Sequence, residues 1–360
     1  MFNQSSNYIR NIVTTFSLND IQNMDLALKL ARQGMQGVGV NPMVGCVIEK
    51  EGNIIAQGYH QTFGEAHGEI NALEQINHQA KDATLYVTLE PCSHQGKTPP
   101  CAQAVINSGV SKVIIATLDP NPLVNGKGLA MLRNSGIEVE VGLLEQQAQQ
   151  LNRGFIKRMK TGIPFVTCKI AMSLDGKTSM HSGESKWITG PSARVDAQKL
   201  RSQNQAIMTG SGTILSDNPS MTVRLNGVDT SPIRIIIDSR NQIIDKTLNI
   251  FSIDTPTQIF NANNAKLNSA GKIDLEDVLL QLGGQGINTV LLEAGPGLTG
   301  AMIQSNFIDE FIIYTAPVLM GSDANSMAHL SITSMTDKIN LAISDMRMID
   351  QDIRITASIK

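Results

Sequence analysis

Four of the six histidines, His60, His67, His78 and His94, fall in one stretch of the 360-residue chain, together with Cys92 and Cys101, two of its four cysteines. Imidazole and thiolate are the side chains that a borderline metal such as zinc selects. Within the stretch, His67-Gly68-Glu69 opens a helical run, and Pro91-Cys92 follows a strand-like run, with Cys101 closing a loop of eight intervening residues. One His and two Cys supply three ligands. A structural zinc site takes four, so the fourth position is left to water. Zinc brings the pKa of such a water toward neutrality and makes it a nucleophile. Glu69 stands two residues beyond His67, too close to share its helix face. It reads as an unligated carboxylate that takes a proton from the water and hands it to a leaving amine.

An H-x-E, then P-C, then a second Cys is the layout of zinc deaminases, with the Glu as general acid and base. A zinc-stabilised fold without chemistry, or unrelated core cysteines, is the competing reading. The ordered set on a helix–strand–loop–helix frame favours catalysis over both. Many deaminases of nucleosides and tRNA leave only two residues between the cysteines. The longer loop here places His94 and Lys97 beside the metal, within reach of a polar ring or a phosphate, and Pro99-Pro100 stiffens the entry to the next helix.

A second cluster lies in the other half. Gly295-Pro296-Gly297-Leu298-Thr299-Gly300 follows a strand and opens a helix, a loop whose N–H groups can approach phosphate. No acid closes a following parallel strand about 20 residues on, so a standard Rossmann domain is rejected and a phosphate-cradling loop is retained. Arg201 and Arg224 are candidate phosphate clamps, because guanidinium pairs bidentately with phosphate. Both read equally well as solvated surface charges. Trp187, the only Trp, has polar neighbours and reads as a pocket wall. Cys46, Cys168, His78 and His329 read as structural.

The elements that position these residues alternate. Ile21, Met24, Leu28, Ala31 and Met35 mark one buried helix face. A hairpin over 43–57 turns at Glu51-Gly52-Asn53, and a helix runs from His67 to about Gln79. Strands at 83–89, 112–118 and 137–141 alternate with helices from Cys101, over 128–134 and over 143–159, which argues for a mainly parallel sheet covered on both faces. Thr161-Gly162-Ile163-Pro164 breaks the rhythm and sets the expected boundary. Beyond it come strands at 165–172, 206–209, 233–238, 257–260 and 289–293. Helices fall at 191–202, 275–282 and after Gly297, and late strands, some antiparallel, at 311–317 and 346–358.

Length alone suggests two domains. Hydrophobic residues at 41% and charged residues at 17% describe a globular chain. A net charge of −3 gives no support for binding polyanions or anionic membrane. Four cysteines are too few for a disulfide scaffold and suit a reducing compartment. No run approaches a membrane span, and the first 20 residues lack the features of a signal peptide, so the cytoplasm is the expected setting.

Leu89-Glu90-Pro91-Cys92-Ser93-His94-Gln95-Gly96-Lys97-Thr98-Pro99-Pro100-Cys101 closely resembles the bifunctional riboflavin-biosynthesis deaminase/reductase family. Asn41-Pro42-Met43-Val44-Gly45 and Asp119-Pro120-Asn121-Pro122 match its other deaminase motifs. Lys169-Ile170-Ala171-Met172-Ser173-Leu174-Asp175-Gly176, Ser185-Lys186-Trp187-Ile188-Thr189, Gly210–Arg224 and Glu293–Gly300 resemble its reductase blocks, so the likeness spans residues 20–360. Gly68 stands where the family usually has Ala, Ala294 where many members have Gly, and Met221 where Leu is common.

The resemblance implies an α/β fold class: a cytidine-deaminase-like α/β/α domain over residues 18–162, then a dihydrofolate-reductase-like α/β domain over 163–360. It implies zinc on His67, Cys92 and Cys101, with Glu69 shuttling protons. Asn41, His60, His94, Lys97, Asp119 and Asn121 would line the pyrimidine and ribose-phosphate pocket. NADPH would face Ala171, Trp187, Thr213, Asp217, Ser239 and the loop Gly295, Pro296, Gly297, Leu298, Thr299, Gly300 and Ala301. Lys169, Ser185, Arg201, Met221, Arg224 and Glu293 would face the sugar-phosphate substrate. The implied reaction is zinc-dependent deamination of a diaminopyrimidinone ribosyl phosphate, then NADPH-dependent reduction of ribosyl to ribityl. The implied partners are that small molecule and further copies of the chain as a dimer or tetramer, with no nucleic acid and no membrane. Two rivals stand beside this reading: a nucleic-acid base deaminase with a non-catalytic C-terminal domain, and a non-catalytic zinc-stabilised nucleotide binder.

Overall fold

The computed structural model describes residues 16–93, 100–121, 124–228, 230–252 and 255–360. The chain divides into two compact units, which meet at Asn152/Arg153.

The first unit opens with α1 (Leu18–Gln33), followed by the strands β1 (Gly45–Lys50) and β2 (Asn53–Tyr59) and by α2 (Gly68–Glu74). The strand β3 (Thr84–Val87), α3 (Cys101–Asn107), β4 (Lys112–Ile115), α4 (Lys127–Asn134), β5 (Glu138–Val141) and α5 (Glu145–Leu151) complete it. Ser17 and Asp20 form a reciprocal capping box that fixes where α1 starts. Met24, Leu28 and Ala31 are buried as the spacing predicts, but Ile21 is exposed, and Met35 lies past the end of the helix and is exposed too. The sheet order is β2-β1-β3-β4-β5, antiparallel across β2-β1-β3 and parallel from β3 to β5, so half of the pairing expected to be mainly parallel is antiparallel. Alternation along β1 sends Cys46 and Ile48 to one buried cluster and Val47 to the other, so both faces are covered.

The helix expected to run to Gln79 ends at Glu74. Asn77 and His78 take positive φ, and the His78 N–H returns to the Leu73 carbonyl, so the chain turns where periodicity alone would continue it. The single helix expected over 143–159 is two helices, α5 and α6 (Arg153–Thr161). Because α6 packs within the second unit, the compact boundary falls ahead of the Thr161–Pro164 break. Arg153 pairs with Glu310, Lys157 with Asp309, and Gly154 lies against the Asn288 carbonyl.

The second unit continues with β6 (Phe165–Ser173), β7 (Lys177–Ser179), α7 (Pro191–Ser202), β8 (Ala206–Gly210), α8 (Ser211–Asp217) and β9 (Ile233–Ile237). It ends with β10 (Thr257–Phe260), α9 (Leu275–Gly284), β11 (Thr289–Leu292), α10 (Pro296–Gln304), β12 (Glu310–Ala316), β13 (Asn325–Ser326), β14 (Leu341–Ile349) and β15 (Asp352–Ile359). Eight strands form one sheet in the order β10-β9-β8-β11-β6-β12-β15-β14, parallel as far as β12 and antiparallel beyond. The late strand expected over 346–358 is a hairpin that turns at Asp350 with positive φ. The parallel strands place the residues after β8, β9 and β11 along one edge, where open α/β sheets bind ligands. Among the described residues, no helix is long and apolar enough to cross a membrane.

Candidate active sites: a metal-ligating trio and a long cleft

In the first unit, His67 is the N-cap of α2, Cys101 is the first residue of α3, and Cys92 lies in the segment after β3. Their ligand atoms lie within 4.8 Å of one another. His67 Nδ1 is 3.6 Å from Cys92 Sγ and 3.2 Å from Cys101 Sγ. The Cys101 N–H donates to Cys92 Sγ at 3.3 Å. The two thiols differ in acidity. The Cys101 hydrogen bond, helped by His67, draws Cys92 well below the ordinary thiol range, while Cys92 and burial push Cys101 far above it. The Cys92 bond also raises His67.

Glu69 is 2% exposed, and its Oε2 finds no hydrogen-bond partner among the described residues. Burial pushes its carboxyl up to about 7, against the pull of His67. A soft, three-membered ligand set beside an orphaned carboxylate oxygen fits zinc with an acid/base residue at its open side. Gly68, between them, does more than start a helix. A Cβ there would lie 2.8 Å from the Val44 carbonyl and 3.2 Å from Tyr59 Cα, so glycine lets α2 seat against both strands of the hairpin.

His60 lies edge-on to His67, with ring centroids 5.1 Å apart. Its Nδ1 meets the Ala66 carbonyl at 3.0 Å and so carries the proton, which leaves Nε2 to accept from Asn41 Nδ2, also at 3.0 Å. Burial lowers its pKa and keeps the ring neutral near pH 7. Asp119 is buried in the loop after β4, and its Oδ1 accepts the Asn121 N–H at 2.8 Å. The expected contacts of His94 and Lys97 lie outside the described residues.

Two residues missed by the sequence reading brace these loops. Asn152 takes both the N–H and the carbonyl of Met43, each at 2.8 Å, and holds the segment that carries Asn41. Glu90 accepts three main-chain N–H groups from the loop and helix after β4. The available signal for Glu90 was an acid set between a strand and Pro-Cys. Asn152 left none.

In the second unit, a cleft of about 1620 Å³ opens over the edge formed by β6, β8, β9 and β11. Ala171, Trp187, Thr213, Asp217 and Ser239 line it, as do Gly295, Pro296, Gly297, Leu298 and Ala301. Lys169, Ser185, Arg201, Met221, Arg224 and Glu293 line it as well. Thr299 and Gly300 do not. One turn into α10 they face the core, with the Thr299 hydroxyl on the Ala294 carbonyl and Gly300 against the His329 backbone. Trp187 is 67% exposed, with the Arg194 guanidinium 4.5 Å over its ring, as befits a pocket wall.

Arg201, one of the two candidate phosphate clamps, is engaged by protein groups. Arg201 grips Glu293 bidentately, at 2.8 and 3.0 Å, and gives its remaining arm to the Thr222 carbonyl. Lys169 Nζ approaches the same carboxylate at 3.6 Å. Burial alone would raise Glu293, but Arg201 and Lys169 outweigh it and hold the carboxyl down at about 2. Arg224 is exposed on the cleft wall, its backbone N–H fixed by Gln198.

Trio and cleft together define a two-domain enzyme, a zinc-type deaminase fused to a reductase. The cytidine and deoxycytidylate deaminase zinc-binding region matches residues 18–117, and the RibD C-terminal domain matches residues 164–354. The riboflavin biosynthesis protein RibD of Escherichia coli is 43% identical over 92% of this chain and 96% of its own length. That of Bacillus amyloliquefaciens is 42% identical over 93% and 95%. A solved RibD of Acinetobacter baumannii superposes with a TM-score of 0.88 at 41% identity, covering 95% of this chain and 99% of that one. A solved diaminohydroxyphosphoribosylaminopyrimidine deaminase/5-amino-6-(5-phosphoribosylamino)uracil reductase of Thermotoga maritima does so with a TM-score of 0.87 at 32% identity, with the same coverage. The chain belongs to the RibD family, the bifunctional deaminase/reductases of riboflavin biosynthesis. Its cofactors are zinc and NADPH, and its substrate is a small pyrimidine.

Proposed function

We propose that the chain deaminates 2,5-diamino-6-ribosylamino-4(3H)-pyrimidinone 5′-phosphate and then reduces the ribosyl group of the product to ribityl. The observation that carries the first step is the convergence of His67, Cys92 and Cys101 beside the unpartnered Glu69 Oε2. Zinc held by the three ligands would supply the Lewis acidity that brings water within reach of ionisation near neutral pH. Glu69 Oε2 takes the proton of the attacking water and returns it to the exocyclic nitrogen, so that the C–N bond breaks and ammonia leaves. Its raised pKa suits a group that must both accept and donate near pH 7. Asn41, neutral His60, Asp119 and Asn121 orient the pyrimidine, and His94 and Lys97, which lie outside the described residues, are assigned to bind the same substrate.

For the second step, bound NADPH would supply the hydride that C1′ of the ribosyl group accepts as its C1′–O4′ bond opens and O4′ takes a proton from solvent. The rest is positioning. The N–H groups of Gly295 and Gly297, with Pro296, Thr213, Asp217 and Ser239 beside them, bind the dinucleotide, and Ala171 and Trp187 wall its reacting end. Glu293 holds Lys169 and Arg201 in place against the sugar, Ser185 and Met221 shape that pocket, and Arg224, exposed on the cleft wall, is assigned to the phosphate. Deaminase chemistry is assigned to residues 18–162 and reductase chemistry to 163–360.

The chain works as a homo-oligomer in the cytoplasm. Ile343, Met346 and Met348 on the edge strand β14 are each at least 60% exposed, and the register shift after Ile343 keeps them on one face, an apolar row that a second copy would cover. All four cysteines are unpaired, as in a reducing compartment. Zinc-loaded protein given this substrate and NADPH should release ammonia and oxidise NADPH. Ammonia release from tRNA or DNA with no NADPH oxidation would favour a nucleic-acid deaminase instead.

A further inference from the structure

Glu90 is 3% exposed and lies two residues ahead of Cys92. A carboxylate withdrawn from water is costly unless hydrogen bonds replace its hydration. Here Oε2 accepts the N–H of Asp119 at 3.2 Å and of Gly126 at 3.0 Å, and Oε1 accepts that of Leu129 at 3.0 Å. The donors belong to the loop after β4, the N-cap of α4 and its first turn. Bonds from N–H to an ionised carboxylate are charge-assisted and stronger than neutral ones. The Glu90 N–H goes to the Thr117 carbonyl at 3.0 Å, so its backbone prolongs the β3–β4 pairing while its side chain reaches past it. Gly128 brings the helix in. A Cβ there would lie 2.1 Å from the Pro91 carbonyl, so α4 rides directly on the segment that enters Cys92. One carboxylate thus joins the strand end that delivers a metal ligand to the loop that delivers Asp119 and Asn121.

We propose that Glu90 is a positioning residue of the deaminase site: its carboxylate sets the Asp119–Asn121 loop against the Cys92 segment, and so fixes substrate affinity without touching substrate. This rests on the deaminase reading above. The test is Glu90→Gln, whose amide offers one acceptor oxygen in place of two and turns an NH2 toward a donor. The variant should keep one zinc per chain. Mass-spectrometric amide exchange over 117–131 should lose protection. KM of the deaminase step should rise about tenfold while kcat stays within about threefold, the pattern of lost binding rather than lost chemistry. NADPH oxidation on the deaminated intermediate should be unchanged and serves as the control for folding. Unchanged KM, or a fall in kcat that tracks lost zinc, would overturn the proposal. If Glu90→Gln does not accumulate folded, Glu90→Asp is read by the same criteria. A parent enzyme that releases no ammonia rejects the deaminase reading, whereas an unchanged exchange pattern in the variant rejects the bracing role.

Discussion

Replacing Glu293 with Gln removes the only anion between Arg201 and Lys169 that the described ion pairs record. The three side chains are 13%, 14% and 19% exposed, so little solvent screens them. The carboxyl sits at about 2 in the fold against an ordinary 4.5. A gap of that size corresponds to about 3 kcal/mol of stability at neutral pH. Breaking a buried pair by removing one partner costs a similar amount, about 3–5 kcal/mol. For a unit of this size, melting should fall by about 6–12 °C. Because the folded-state pKa lies below the ordinary value, the contribution is complete above pH 4.5 and drains away as the pH falls toward 2. The gap between parent and variant should therefore shrink from about 3 kcal/mol at pH 5 to roughly half that at pH 3. Urea unfolding at pH 7.5, 5 and 3 measures it. A variant within about 0.5 kcal/mol of the parent at pH 7.5, or a gap that stays constant with pH, would show that the trio is not a tight ion-paired unit.

Glu69→Gln should retain zinc and lose ammonia release by at least about a hundredfold, with NADPH oxidation on the deaminated intermediate intact. Ammonia and NADPH assays on one preparation decide it, and comparable ammonia release would remove Glu69 from the proton path. Met346→Asp, on the exposed row of β14, should shift light-scattering mass to the monomer by placing a charge in an apolar contact. An unchanged mass would take β14 out of the interface.

The trio was legible because its chemistry is carried by residue type: His67, Cys92 and Cys101 are scarce side chains, and the elements around them have strong local signals. The cleft was legible in large part for a related reason, since Gly-rich turns after parallel strands collect at one edge of a sheet. What escaped was commitment between distant side chains. Arg201 lies 92 residues from Glu293, and nothing local to either shows that the guanidinium is already taken. Asn152 reaches Met43 across 109 residues through a single amide. Thr299 and Gly300 share a loop with cleft residues, yet one helical turn rotates them into the core. The early end of α2 and the hairpin within 346–358 depend on positive φ at Asn77, His78 and Asp350, residues whose side chains do not demand it.

The most direct measurement is the ratio of ammonia released to NADPH oxidised by the purified chain on the diaminopyrimidinone ribosyl phosphate, before and after zinc is stripped and restored. The account predicts equal amounts with zinc present. It also predicts loss of ammonia on chelation and recovery on zinc addition, while NADPH oxidation on the deaminated intermediate persists throughout. Folded, zinc-loaded protein that oxidises NADPH yet releases no ammonia, or that releases it equally without zinc, would contradict it.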